Sequence, residues 1–211
     1  MDVEAAAHSI YFYMVGCLGP INTNYPVIGP SGNNVGLILG HGHKHKVPLI
    51  PSFVPKSSTF KLVDRNINYE PDIVACYDKP DDINKLGIGQ YDWTLSHYCP
   101  IFGSLKSFHE YIYHGRWFLN NKGKLIIKSN TFITHKFLHF DPYELEYIIK
   151  VFMRVVNMLA IHCGFADVRI VDDDYNDVSL ALINDDYDTS DEDDTEAKFM
   201  AAKPVYMVLT V

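Results

Sequence analysis

Three histidines recur at alternate positions in the stretch GHGHKHK, at His41, His43 and His45, and two glycines, Gly40 and Gly42, are threaded among them. In an extended strand the three imidazoles share one face and can together hold Zn²⁺. The glycines suit a different chemistry. Lacking a Cβ, they let a backbone turn pass close to a small-molecule cofactor. An exposed polar turn is the third reading, and Lys44 and Lys46 beside the imidazoles count against a bound cation.

Other candidates follow further along. Asp64 closes the run FKLV and precedes Arg65. A carboxylate at a strand end can face a ligand, or it can cap its own turn. Tyr77 and Asp78 follow Cys76 in a stretch that runs on into DKPDD, a sequence that also reads as an ordinary turn. In LSHY, Ser96 precedes His97, which is the best-placed general base, because an imidazole titrates near neutrality and a strand end aims it at a substrate. Tyr98 and Phe102 can wall a pocket, although core packing is the commoner role for aromatics. His135 and His139 have the spacing of a helical metal pair but precede the helix cap at Asp141, so they read as loop. Asp92, ahead of an apolar run, reads as a structural residue at a strand start.

The elements that must position these groups are clearest in the second half. The stretch 91–98 reads as a short buried strand, and 104–119 as a helix with Leu105, Phe108, Ile112 and Trp117 near helical spacing. NNKG at 120–123 reads as a turn with Gly123 as a left-handed stop, and 124–129 as the strand after it. The strongest helix is 141–164: Asp141 caps it, Pro142 takes the first position, Glu144 completes a capping box and Gly164 ends it. Strands follow at 165–173 and 203–211; 177–184 stays open between strand and helical turn. In the first half, strands are expected at 34–39, 58–66 and 71–78, and Pro48, Pro51 and Pro55 argue against a helix between the first two. Strands alternating with helices imply an α/β domain with a mostly parallel sheet. Ligands of such sheets bind beyond the carboxyl ends of the strands, at the point where strand order reverses.

Composition sets outer bounds. The 211 residues are 47% hydrophobic and 13% aromatic, enough for one domain with a sizeable core. No apolar run reaches 18 residues, so no membrane span is expected, and SIYFYMVGCLG lacks the basic lead of a signal peptide. Cys17, Cys76, Cys99 and Cys163 form no C-x-x-C pair and read as reduced thiols of a cytoplasmic protein. The net charge of −8 conceals a split: residues 172–196 hold twelve acids and no Lys or Arg, while the rest carries 18 basic residues against 14 acids. The segment 184–196 therefore reads as a solvated acidic loop able to engage a basic protein partner, and the mildly basic body leaves nucleic acid neither indicated nor excluded.

The order of elements resembles the class I S-adenosylmethionine-dependent methyltransferases, over about residues 33–175 and 203–211. The best-matching part is YDWTLSHYCPIFGSLKSFHEYIYHGRWFLNNKGKLIIKS, similar to the family's fourth strand, following helix, turn and fifth strand; GFADVRIVDDD and PVYMVLTV look like its terminal antiparallel pair. The resemblance implies a single Rossmann-like three-layer α/β domain, residues 1–183 and 197–211, interrupted by the acidic loop 184–196. It implies S-adenosylmethionine as cofactor, held by Gly40, His41, Gly42, Asp64, Tyr77, Asp78 and Ser96, with His97 as the catalytic candidate. Three positions depart from the family pattern. Ile38 stands where an acid is usual, Lys44 replaces a third glycine, and the proline-rich KVPLIPSFVP replaces the helix expected behind the turn. The composition, rich in Asn, Asp, Tyr and Ile, resembles giant-virus proteins of this kind.

Two other functions stay open on the residues alone. A methyltransferase fold without catalysis can serve as an interaction module through its acidic loop. The histidine run also somewhat resembles the H-x-H-x-D-H signature of metallo-β-lactamase-like hydrolases, with His45 and Lys46 standing where Asp and His are expected.

Overall fold

Short runs of branched apolar residues, VGLIL, KLIIK and YMVLT, become strands buried on both faces, as the central strands of a largely parallel sheet must be. The computed structural model describes residues 2–18, 24–25, 27–29, 32–40, 42, 50–56, 58–76, 79–96, 105–128, 142–178 and 205–211. Its elements are α1 (Val3–Leu18), β1 (Val35–Leu39), β2 (Thr59–Asp64), a 3₁₀ turn (Ile67–Tyr69), β3 (Ile73–Val74) and α2 (Pro80–Leu86). There follow β4 (Tyr91–Ser96), α3 (Leu105–Phe118), β5 (Leu119–Lys128), α4 (Pro142–His162), β6 (Asp167–Val171) and β7 (Tyr206–Thr210).

The seven strands form one sheet in the order β3-β2-β1-β4-β5-β7-β6. Strands β1 to β5 are mutually parallel, and β7 runs antiparallel between β5 and β6. This is the Rossmann-like α/β architecture that the sequence implies, with its terminal antiparallel pair. The chain lays β2 and β3 outward on one side of β1, then returns to place β4 on the other side. The reversal point therefore lies between β1 and β4.

One face of the sheet packs against helices. Leu37, Leu39, Leu125, Ile127, Met207 and Leu209 meet Phe108 and Ile112 of α3, Val155, Val156 and Leu159 of α4, and Ala7 and Met14 of α1. Val3, Ala7, Ile10 and Met14 recur at helical spacing, which gives α1 an apolar stripe to lay along α4 and α3. The opposite face, carrying Ile38, Leu62, Trp93, Leu95, Ile126 and Val208, is covered among the described residues by turns rather than helices. Val54 and Phe53 come from the proline-rich segment, and Tyr175 from the turn after β6. Gly36 admits this packing: the Trp93 indole lies where a Cβ would be, 2.0 Å from its ideal position.

That second cover is built from the first acids of the acidic stretch. The Asp172 carboxylate accepts from the amides of Asp174 and Asn176 at 3.0 and 2.8 Å, closing a tight turn. Asp173 Oδ1 accepts from the Ser52 amide at 3.1 Å, and Arg169 pairs with Asp177 at 2.8 Å. Tyr175, at φ +67°, packs its ring at a tilt of 57° against Phe53, while Lys124 Nζ and the Arg169 guanidinium lie 4.4 and 4.8 Å from its ring centroid. Residues 184–196 lie outside the described residues, as does most of the open stretch 177–184.

Three sequence expectations are corrected. NNKG at 120–123 is not a free turn but part of β5, and Gly123 is not left-handed. The physical reason is a bulge: Tyr91 faces Leu119 while Trp93 faces Lys124, so three extra residues of β5 are absorbed there. Asn120 is buried in the bulge, donating to Asp92 Oδ1 at 2.8 Å and accepting from the Lys122 amide at 3.0 Å. The strand expected over 71–78 shrinks to Ile73–Val74, and the turn-like KPDD begins helix α2, with Pro80 at its first position. Asp92 has the structural role expected of it, with Oδ2 accepting from the Val35 amide at 2.8 Å.

Candidate functional site

The carboxyl ends of β1, β2, β3 and β4 converge on one edge, and register fixes which residues meet there. Leu39 is opposite Val63 on one side and Ser96 on the other, and Asp64 is opposite Val74. The residue after Leu39 is Gly40, whose amide donates to the Val63 carbonyl at 2.9 Å. Gly40 and Gly42 have φ of +66° and +78°, in the left-handed region that costs an L side chain about 1–2 kcal/mol. An ideal Cβ on Gly42 meets nothing within 4 Å among the described residues, so the glycine there serves the backbone conformation.

Asp64 joins the loops of the neighbouring strands. Its Oδ2 accepts from the Gly42 amide at 3.1 Å and its Oδ1 from the Asn66 amide at 2.9 Å. Its carbonyl accepts from the Ala75 amide at 3.1 Å, tying β2 to β3. The strand-end acid and the turn-capping acid are thus the same residue. Each carboxylate oxygen has a second acceptor direction beyond these amides. Asn66 continues the support by accepting from the Asn68 amide at 3.0 Å.

The loop after β3 is held from α2. Asp82 Oδ2 accepts from the Cys76 amide at 3.1 Å, and Asp82 also forms an ion pair with Lys85. The Lys85 ammonium and the Cys76 amide together hold the Asp82 carboxyl below its usual range. Sequence reasoning missed both Asp82 and Asn66 as supports of the site. The signal for Asp82 was present in Lys79-Pro80-Asp81-Asp82, a proline followed by acids in a first helical turn.

Ser96 ends β4 and is fully buried, with its side chain on the face that packs against the helices, since its register neighbours Leu39 and Ile127 both lie there. The structure therefore brings Gly40, Gly42, Asp64 and Ser96 to one edge beside the reversal point. His41, Tyr77, Asp78 and His97 lie outside the described residues, as do Tyr98, Phe102, His135 and His139. Of the metal alternative, His43 and His45 also lie outside them, and among the described residues no group of three His, Cys, Asp or Glu is placed to hold a metal ion.

No family model matches the sequence, and no curated protein is similar enough to count as a match. Solved structures similar in fold include methyltransferases. An S-adenosylmethionine-dependent methyltransferase from Archaeoglobus fulgidus is 11% identical, with 100% of this chain and 95% of that one covered and a TM-score of 0.47. A TehB-like S-adenosylmethionine-dependent methyltransferase from Corynebacterium glutamicum is 9% identical over 95% of this chain and 86% of its own, with a TM-score of 0.45. The 16S rRNA (adenine(1408)-N(1))-methyltransferase of Catenulisporales acidiphilia is 12% identical over 84% and 87%, with a TM-score of 0.44.

Proposed function

We propose that the turn at Gly40 and Gly42, with Asp64 beside it, binds S-adenosylmethionine, and that the chain is a methyltransferase-like protein acting on an acceptor of its own. The observation that carries this reading is a pair of left-handed glycines beside the reversal point of the sheet, Gly40 tied to the Val63 carbonyl and Gly42 to the strand-end carboxylate of Asp64. The donor set suits the group. The glycine turn offers main-chain groups to the amino-acid and ribose parts of the cofactor, with no described side chain within 4 Å of a Cβ at Gly42, and Asp64 has acceptor capacity left for ribose hydroxyls.

When bound, S-adenosylmethionine supplies an electrophilic methyl group on its sulfonium. The residues of this chain bind and orient. Asp64 and the glycine turn hold the nucleoside, and Tyr77 and Asp78 are the candidates beside adenine. Ser96 and His97 mark where acceptor and methyl group meet, His97 being the candidate base. Positioning is the main demand on such a site, because transfer to an already neutral nucleophile needs little proton movement.

A second reading is favoured by a specific observation. Both Asp64 oxygens already serve main-chain amides, and the described residues behind the turn, 50–56, form turns rather than a helix. A fold kept for interaction, with the acidic stretch engaging a basic protein partner, accounts for both facts. Thermal stabilisation by S-adenosylmethionine, S-adenosylhomocysteine and Zn²⁺ separates the readings. A ligand at 100 times its Kd adds about 2.7 kcal/mol. A rise with either adenosyl compound supports the cofactor reading. Absence of any rise removes it in favour of the interaction module, and a rise with Zn²⁺ alone, lost in His43→Ala, supports a metallohydrolase.

A further inference from the structure

The central strand β4 presents three polar residues, Asp92, Thr94 and Ser96, to the helix-covered face, at every second position. Their neighbours on that face are apolar: Leu37 and Leu39 on β1, Leu125 and Ile127 on β5, all buried. Asp92 is satisfied by the Val35 amide and the Asn120 side chain. Thr94 and Ser96 differ. Both are 0% exposed, and neither hydroxyl has a hydrogen-bond partner among the described residues. His109 Nδ1 and the Tyr147 hydroxyl, from α3 and α4 on the same side of the sheet, are likewise buried without a partner.

A bare hydroxyl in an apolar layer carries the full penalty of its desolvation, and two such groups two residues apart on one strand face compound it. An apolar side chain of the same size is the easy alternative at both positions. Buried polar groups of this kind are the usual hosts of internal water, which needs two or more polar partners to stay.

We propose that Thr94 and Ser96 bind a long-lived internal water molecule between β4 and the helix layer, directly beneath the carboxyl-edge site. This water site has a consequence for the edge above it. With the Ser96 hydroxyl committed downward, a ligand at the end of β4 meets the main chain of Ser96 rather than its side chain. The inference rests on burial and register, not on which cofactor the edge binds.

Oxygen-17 magnetic relaxation dispersion counts long-lived internal waters in the whole folded protein. Thr94→Val and Ser96→Ala are each expected to lower that count by one and to lower the melting temperature by roughly 2–6 °C. Should Thr94→Val fail to fold, the count in Ser96→Ala decides. An unchanged count in the folded variants overturns the proposal whatever the melting temperature does. A rise in the melting temperature of Thr94→Val also overturns it, because the hydroxyl would then have been a bare cost removed.

Discussion

Gly42 and Gly36 illustrate two distinct demands that a single missing Cβ can meet. At Gly42 no described residue meets a Cβ and the backbone angle is what resists a side chain, so Gly42→Ala should cost about 1–2 kcal/mol, a fall in melting temperature of roughly 2–8 °C. At Gly36 the angle is ordinary but Trp93 fills the space, so Gly36→Ala should be the worse change, on the order of 3 kcal/mol. Thermal melts of the two variants check the order. A third residue gives a pH dependence. His109 is 2% exposed, and burial, with smaller contributions from His162 and His114, pushes its pKa down to about 4 from 6.5. Between those values the unfolded chain binds a proton that the folded chain refuses. Stability is therefore full above about pH 6.5, falls by roughly 3 kcal/mol as the pH drops towards 4, and falls no further from this group below that. Urea titrations between pH 4 and 7 should show this slope in the native chain and a flatter one in His109→Phe. The same scale shows what the sequence hides. His109 stacks on Tyr113 within its helix and its Nε2 lies 3.9 Å from Cys163 Sγ, a contact with no local mark because Cys163 lies far from it in the chain.

Element ends are where the fold is pinned. Asp92 holds the start of β4 to the start of β1 and to the bulge of β5, so Asp92→Ala should destabilise by on the order of 3 kcal/mol, read from denaturant unfolding. Arg116 closes the other end of α4: its guanidinium donates to the carbonyls of Gly164 and Leu119 at 3.2 and 3.4 Å and stacks 4.6 Å from the Tyr25 ring centroid. The cation thus sits at the negative end of a 21-residue helix, which explains its burial with no carboxylate in contact among the described residues. Arg116→Lys keeps the charge but loses the planar fork, and about 1–3 kcal/mol of stability should go with it. Legibility at this scale follows the source of each signal. The helix at 142–162 was readable from Asp141, Pro142, its apolar periodicity and Gly164, all local marks. The β5 bulge was not, because NNKG carries the residues of a turn and only its pairing with β4 turns it into strand. Helix α2 was overlooked because KPDD serves a turn and a helix start equally well, and the decision falls to Ile83 and Leu86 packing beneath the sheet edge.

Across the whole molecule, the alternation of strands and helices was legible from β-branched runs, glycine stops and one well-capped helix, whereas the terminal antiparallel pair was legible only through the family resemblance. The candidate site was legible in its backbone parts, Gly40, Gly42 and Asp64. It was not legible in what supports them, because Asn66 and Asp82 act through main-chain amides that leave no sequence motif. No helix among the described residues is long and apolar enough to cross a membrane. The charge split is also a property of the whole chain. If the acidic stretch engages a basic protein partner, deletion of 184–196 should weaken capture of a polylysine probe steeply at low salt and little at high salt. Equal capture by both forms at low salt would remove the interaction reading. The central claim is that Gly40, Gly42 and Asp64 form a nucleoside-binding edge. Its most direct test is isothermal titration of S-adenosylhomocysteine into the native protein and into Asp64→Asn, a substitution of the same shape that keeps one of the two acceptors the turn uses. Binding by the native chain, weakened at least tenfold, about 1.4 kcal/mol, in a folded Asp64→Asn, is the predicted result. No heat of binding from the native chain at millimolar ligand, or equal affinity in the two proteins, would contradict it.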